Sequence, residues 1–328
     1  MARLITPLLG VLLVALALLS LGLGSTNTPV LAGLHDWLNG VHSPQAIVLG
    51  DIRLPRTLLA LAVGAALGLA GAALQGLLRN PLADPGLTGA SQGAALGAAS
   101  VFYFDLLPWA GALAPALAGL SGAAIALLLM VLLAGSRGTG MVIMAGLAIS
   151  TLSGALLAAV LNFAPNPYAM QELVFWLLGS VSERGLYHLL VIGPALLLGF
   201  SLIYSQRRLL LGLSLGEQVV DSLGLNHKRG SRLIVLGCAI LVGAAVAVAG
   251  GIAFVGLLVP HLIRPFVHQR PDRLLIPSAL AGACLVCLAD ICIRLLPAGR
   301  ELNLGVLTAL LGAPLFIWLV WKERKQWI

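Results

Sequence analysis

The residues of this chain that are able to do chemistry are few and widely separated. Asp290 and Arg294 stand four apart in ADICIRLLPAGREL. On a helix they share one face, which makes them an intrahelical ion pair. Arg53 and Arg56 form a second cationic group in DIRLPRTL, at the start of a long apolar run. Arginines gathered at such a rim suit docking of an acidic protein, because charge complementarity fixes register and speeds encounter. A third group lies in LLGLSLGEQVVDSLGLNHKRGSR, residues 210–232. Ser214 and Glu217 have capping-box spacing, so a helix of about two to three turns is expected to begin at Ser214. Val219, Val220 and Leu223 form its apolar stripe, Glu217 and Asp221 lie one turn apart, and Gly224 is placed to end it. A helix this short is not stable alone in water. It has to dock, either on its own neighbours or on a separate subunit.

Other chemistries lack their residues. The phosphate-binding pattern GxxxxGK[ST], zinc-type His/Glu clusters and a GxSxG elbow are absent. Active transport would therefore draw its energy from another subunit. An intramembrane enzyme using His261 and Asp290 has no nucleophile motif to support it, and a His beside Pro260 reads as structural. Cys284 and Cys287 have CxxC spacing, but no second pair accompanies them. With Cys238 and Cys292 they lie in apolar runs and read as small buried hydrophobes.

The elements that must position these groups follow from composition. Of 328 residues, 59% are apolar and 9% charged, against about 25% charged in a soluble domain. Such a chain belongs in a bilayer. Nine segments offer the roughly 20 apolar residues that a spanning helix needs: 4–23, 57–78, 87–104, 109–134, 141–161, 186–205, 232–250, 274–296 and 304–321. The first is too long in its apolar stretch for a cleaved signal and is read as a retained span. Both ends carry cations and look cytoplasmic, which nine crossings cannot satisfy. GIAFVGLLVPHLIRPF, 251–266, interrupted by Gly256 and Pro260, is the candidate for a tenth, broken crossing. Broken helices at membrane depth need other protein or a water-filled cavity around the freed backbone, which makes this segment a plausible pathway element. With ten spans, fourteen of the nineteen Lys and Arg residues fall inside, leaving Arg53, Arg56, Arg184, Arg294 and Arg300 outside. The small-residue pairs Gly64/Gly68, Gly89/Gly93 and Gly93/Gly97 suggest close helix packing.

RNPLADPGLTG, 79–89, is the turn after the second span. Its two prolines and two glycines exceed what a plain turn needs and point to a shaped loop that meets something. LNFAPNPYAMQELVFWLLGS, 161–180, suits an outer interfacial helix with Trp176 as its anchor.

RLPRTL, GAALGLAGAALQGLLRNPLADPGLTGASQGAALG, LSLGEQVVDSLGL, FVGLLVPHLIR and LNLGVLTALLGAPLFIWLV together resemble the membrane permeases of type II ABC importers for ferric siderophores, haem and cobalamin. The match runs in the same order from about residue 50 to the C-terminus; the first 50 residues carry no family signature. The resemblance implies an all-α polytopic fold of about ten transmembrane helices, as in the cobalamin permease, forming one permease domain over residues 1–328. It implies a dimer, here favouring two identical chains, with two cytoplasmic ATPase subunits and a periplasmic binding protein. By the same resemblance, Asn80 and Thr139 are candidates for the cytoplasmic gate. Ser214, Gly216, Glu217, Asp221 and Gly224 fall in the helix that couples to the ATPase. Arg53, Arg56 and Arg294 fall where relatives present arginines to the binding protein.

The expectation is thus a non-catalytic, multi-pass permease of the bacterial inner membrane with both termini cytoplasmic. It would carry an iron chelate (a ferric siderophore or haem) or, alternatively, cobalamin, and would bind no cofactor itself, with ATP and Mg held by the partner ATPases. A proton-driven secondary transporter is the more distant alternative. Such proteins place ionisable residues deep in their spans, and Asp290 and Arg294 are almost the only candidates here.

Overall fold

The computed structural model describes residues 4–24, 29–104, 107–135, 139–163, 167–296 and 302–324, and every regular element among them is helical. The helices are α1 (Ile5–Gly22), α2 (Val30–Leu38), α3 (Pro44–Ile47), α4 (Leu54–Leu78), α5 (Ala90–Phe104), α6 (Ala114–Ala134), α7 (Thr139–Asn162) and α8 (Pro167–Leu177). They continue with α9 (Leu189–Ser205), α10 (Arg207–Leu215), α11 (Glu217–Ser222), α12 (His227–Ala249), α13 (Val255–Ile263), α14 (Pro271–Arg294) and α15 (Leu304–Arg324). Among the described residues seven helical runs are long and apolar enough to cross a bilayer; α5 and α13 are shorter, and α15 is apolar over Leu304–Trp318. Together they correspond to the ten expected segments.

The second span starts earlier than its hydropathy suggests. Ser43 caps α3, its hydroxyl accepting from the Ala46 N–H at 3.2 Å, and Pro44 takes the first turn, where no N–H is needed. A π-turn over Val48–Arg53 then carries the chain without a break into α4, giving a helical run Pro44–Leu78 of 35 residues. α4 ends at Arg79, whose left-handed backbone (φ 50°) lets the Asn80 N–H reach the Gln75 carbonyl at 3.2 Å.

α4, α12 and α14 form the centre of the bundle, and small residues set how closely they approach. A Cβ placed on Gly64 would lie 2.2 Å from the Gly282 carbonyl oxygen, and one on Gly68 equally close to that of Ser278. The same holds for Gly93 and Gly97 of α5 against Gly122 and Ala118 of α6. The expected small-residue packing therefore operates between specific helix pairs.

α13 is the broken crossing. Gly250 (φ 70°) ends α12, and Phe254 (φ 65°) turns the chain into a nine-residue helix with Pro260 inside it. Its freed backbone is covered by protein. The Ser180 N–H donates to the Ala249 carbonyl (2.8 Å), Gly251 N–H to Leu177 (3.2 Å) and Gly305 N–H to Gly179 (3.2 Å), locking the approaches to α9, α13 and α15 together. Gln75, fully buried in α4, donates to the Leu257 carbonyl at 3.0 Å and accepts from Arg264 at 2.6 Å. A buried side-chain amide thus ties the broken crossing to α4.

α8 departs from expectation. Trp176 is 7% exposed and packs edge-on against Phe102 of α5 at 6.3 Å. It is a core residue, and the interfacial-anchor reading is corrected: α8 folds back onto α5, where an indole buries more apolar surface than at a water interface. Of the cysteines, Cys238, Cys284 and Cys287 are buried as expected, whereas Cys292 is exposed.

Candidate functional site

Three groups of residues were singled out by their chemistry, and they lie at opposite ends of the bundle. At one end is the carboxylate of Asp290, only 1% exposed on α14. Arg56 of α4 places both Nε and Nη2 on its Oδ1 at 2.8 Å. Arg294, one turn along α14, donates from Nε to Oδ2 at 2.8 Å and from Nη2 to the same oxygen. The expected i,i+4 pair is present, and a second helix joins it.

The arginines do more than neutralise Asp290. Arg294 also donates to the Ser20 carbonyl (2.9 Å) and hydroxyl (3.0 Å), and that hydroxyl lies 2.7 Å from Thr57 Oγ1. Arg53, 4% exposed, donates to the carbonyls of Leu21 (2.9 Å) and Gly22 (3.1 Å). These are the last-turn carbonyls of α1, which have no partner within their own helix. The two guanidinium groups cap α1 and fasten it to α4 and α14. Arg56, with its side chain 21% exposed against 7% for Arg294, is the more accessible of the two arginines on Asp290.

At the other end of α4, residues 79–89 form a shaped loop, as their composition suggests. Asn80 is exposed and its Oδ1 accepts from the Leu82 N–H at 2.9 Å, while Asp84 accepts from the Gly86 N–H at 2.6 Å. Burial pushes the Asp84 carboxyl up from its usual range, partly offset by that N–H. Pro85 is buried against α13: a Cβ on Gly256 would meet its ring at 2.6 Å. The loop thus clamps the broken crossing from below. Thr139 opens α7, but its side chain lies outside the described residues.

The segment 210–232 carries a short helix, two residues later than the capping box suggests. Ser214 is inside α10, its hydroxyl donating back to the Leu211 carbonyl at 2.7 Å. The break falls at Gly216, whose backbone (φ 119°, ψ 155°) is open to glycine and strained for other residues. Gly216 is therefore the N-cap of α11 and the capping-box reading of Ser214 is corrected. Gly224 (φ 65°) ends α11 as expected, with the Leu225 N–H reaching the Val220 carbonyl at 3.2 Å.

The apolar stripe of α11 divides. Val220 is 1% exposed and sits against Gly212 of α10, whereas Leu223 is 61% exposed. Asp221, Gln218 and Ser222 are exposed as well, and the Glu217 side chain lies outside the described residues. α11 is thus held by its own chain through Val220 and keeps an outward surface with an apolar and an acidic group. Among the described residues no cluster of three or more His, Cys, Asp or Glu is arranged to hold a metal.

The model of the FecCD transport family matches residues 12–322. The chain is 38% identical over 323 residues to the hemin transport system permease protein HmuU of Yersinia pestis, covering 97% of this chain and 96% of that protein. It is also 38% identical over 298 residues to the vitamin B12 import system permease protein BtuC of Salmonella typhi, covering 88% and 87%. Among solved structures it is similar to a metal-chelate type ABC transporter in an inward-facing conformation, with TM-score 0.83 and 34% identity over 98% of this chain and 99% of that one. With its seven or more apolar helices the chain is a multi-pass inner-membrane protein, of a kind that works with ATPase and substrate-binding partners. It belongs to the FecCD transport family and is a permease subunit of an ABC importer.

Proposed function

We propose that this permease carries an iron chelate, a ferric siderophore or haem, across the inner membrane. The observation that carries the reading is the near-complete match to a hemin permease, over 97% of this chain. Cobalamin is the second reading, favoured by an equal identity to the vitamin B12 permease over a shorter span. The excess of Lys and Arg on one side supports both termini in the cytoplasm. That orientation puts α11 and residues 79–89 at the cytoplasmic end and the Asp290 network at the periplasmic end.

Two copies of the chain enclose the pathway in this reading, two ATPase subunits bind below and a periplasmic binding protein above. The chain performs no bond chemistry and holds no cofactor; ATP and Mg belong to the ATPases. ATP-driven closure of those subunits pulls on α11, through Glu217, Asp221 and the exposed Leu223, and Gly216 and Gly224 serve as its hinges. The central cavity alternates its access because the two conformations then differ in stability. Asn80 and Thr139 gate the cytoplasmic mouth. Arg56 offers a guanidinium to the binding protein, supported by its partial exposure, and Arg53 and Arg294 hold the surface behind it.

The test is a binding screen followed by an uptake assay. The periplasmic binding protein that pairs with this permease should hold haem or a ferric siderophore at submicromolar affinity, and Glu217→Lys should abolish uptake of that ligand without preventing membrane insertion. Affinity for cobalamin alone would replace the cargo. Uptake that survives loss of the ATPase would overturn the ABC mechanism in favour of a secondary transporter.

A further inference from the structure

The cations at the α9–α10 joint and at the start of α12 are not explained by transport. α9 closes the span Leu186–Ser205, and Arg207 and Arg208 follow at once. α12 opens the span His227–Ala249 with Lys228, Arg229 and Arg232, which lie within about one turn of each other. The two stretches meet in space: a Cβ on Gly230 would lie 2.3 Å from Leu209 and 2.8 Å from Gln206 Oε1. Five cations thus surround one contact between two helix ends.

Their surroundings differ from those of the cations that pair with acids. Arg56, Arg270 and Arg294 each pair with a carboxylate, whereas among the described residues none of these five does. Arg208, Lys228, Arg229 and Arg232 are exposed. Arg207 lies over the Tyr204 ring at 4.3 Å, and that ring stacks on Phe200 at 5.2 Å. Arg232 donates to the Gly135 carbonyl at the end of α6 (2.7 Å), which fixes one edge of the group.

Depth and direction select the partner. Cations at the ends of spans sit at headgroup level, and a Tyr beside them marks the interface. Leu190 and Leu197, exposed at 75% and 70%, share a face of α9 with the exposed Ser201 and Ser205. That apolar face, open to acyl chains, leads down to Arg208. A protein docking from below would meet the acidic and apolar surface of α11 instead.

We propose that Arg207, Arg208, Lys228, Arg229 and Arg232 form a binding surface for the phosphate headgroup of an anionic phospholipid of the cytoplasmic leaflet. The acyl chains lie along α9, and the headgroup joins the α9–α10 joint to the start of α12. The site lies outside α11 and rests on the cytoplasmic orientation proposed above, and it does not depend on which cargo the permease carries.

The test uses the purified full-length permease without its ATPase. Phosphatidylglycerol and phosphatidylcholine are titrated into it in mixed micelles, and bound lipid is counted by native mass spectrometry. Each cation near an anionic headgroup contributes about fivefold in affinity, so the triple variant Arg208→Gln/Lys228→Gln/Arg229→Gln should bind phosphatidylglycerol on the order of a hundredfold more weakly. Its phosphatidylcholine binding should be unchanged. Arg273→Gln, an exposed cation at the start of α14, should leave both unchanged. If the triple variant does not fold, Lys228→Gln alone should weaken binding about fivefold. Equal retention of phosphatidylglycerol by the triple variant and the parent would overturn the proposal. So would unchanged lipid binding with lost ATPase assembly, which would assign the surface to a protein partner.

Discussion

Truncating Asp290 tests the polar network at the periplasmic end, because one carboxylate there serves two arginines. In Asp290→Ala, Arg56 loses both of its bonds at 2.8 Å, and Arg294 loses its pair while keeping those to Ser20. Removing one partner of a buried ion pair costs about 3–5 kcal/mol, since the other charge stays buried without compensation. Arg56 is 21% exposed and regains some solvent, and Arg294 keeps the Ser20 carbonyl, so the lower end, about 3 kcal/mol, is expected. At roughly 2 °C per kcal/mol for a large chain, the apparent Tm should fall by about 6 °C. Arg56→Ala leaves Asp290 with Arg294 and removes one charged interaction, worth about 1.5–3 kcal/mol, so it should cost less. Asp290→Asn keeps an acceptor oxygen and should fall between the parent and Asp290→Ala. Thermal unfolding of the three variants in one detergent measures the order. An Arg56→Ala variant as destabilised as Asp290→Ala, or an Asp290→Ala variant within about 1 °C of the parent, would refute the reasoning that Asp290 holds the network together.

Two further variants probe the bundle centre. Gln75→Leu removes the side chain that pairs the Leu257 carbonyl and Arg264. At about 1–3 kcal/mol per buried group left without a partner, it should loosen α13, read as faster alkylation of cysteines introduced over 255–263; unchanged labelling would show that α13 is held by its other contacts. Gly64→Leu forces a Cβ to within 2.2 Å of the Gly282 carbonyl, so α4 and α14 must separate and the yield of folded protein should collapse. Gly193→Leu, where nothing lies within 4 Å, is the control and should express normally.

The bundle was legible because hydropathy reports on the medium. Apolar length marks the spans, charge asymmetry demanded a tenth crossing, and Gly256 and Pro260 located it in α13. Gly224 ended its helix where expected, since a left-handed backbone is required there. Ser214 misled because a capping box is a local pattern, while Gly216 breaks the helix two residues on through a backbone that side chains disfavour. Trp176 misled for a different reason: residue type favours the interface, but its place depends on Phe102, 74 positions earlier in sequence, and no local spacing encodes that meeting. The arginines were recognised as a group, yet their inward use was hidden. Arg294 is read as the helical partner of Asp290 and a docking charge until Ser20, 274 residues away, is placed beside it.

That separation bears on how the chain is made. α1 is synthesised before the other described helices, and Leu9, Leu16 and Ser20 are its only buried residues, packed mainly toward α14. Its earliest anchors are Arg53 and Thr57, available as soon as the second span is inserted. The remaining contacts, from Arg294, Cys284 and Cys287, arrive only after α14 has crossed the membrane. The N-terminal helix therefore stays half-tethered through most of synthesis, and its last turn is closed near the end. A nascent chain stopped before α14 would expose α1 to membrane proteases or insertion chaperones, whereas one stopped after it would not.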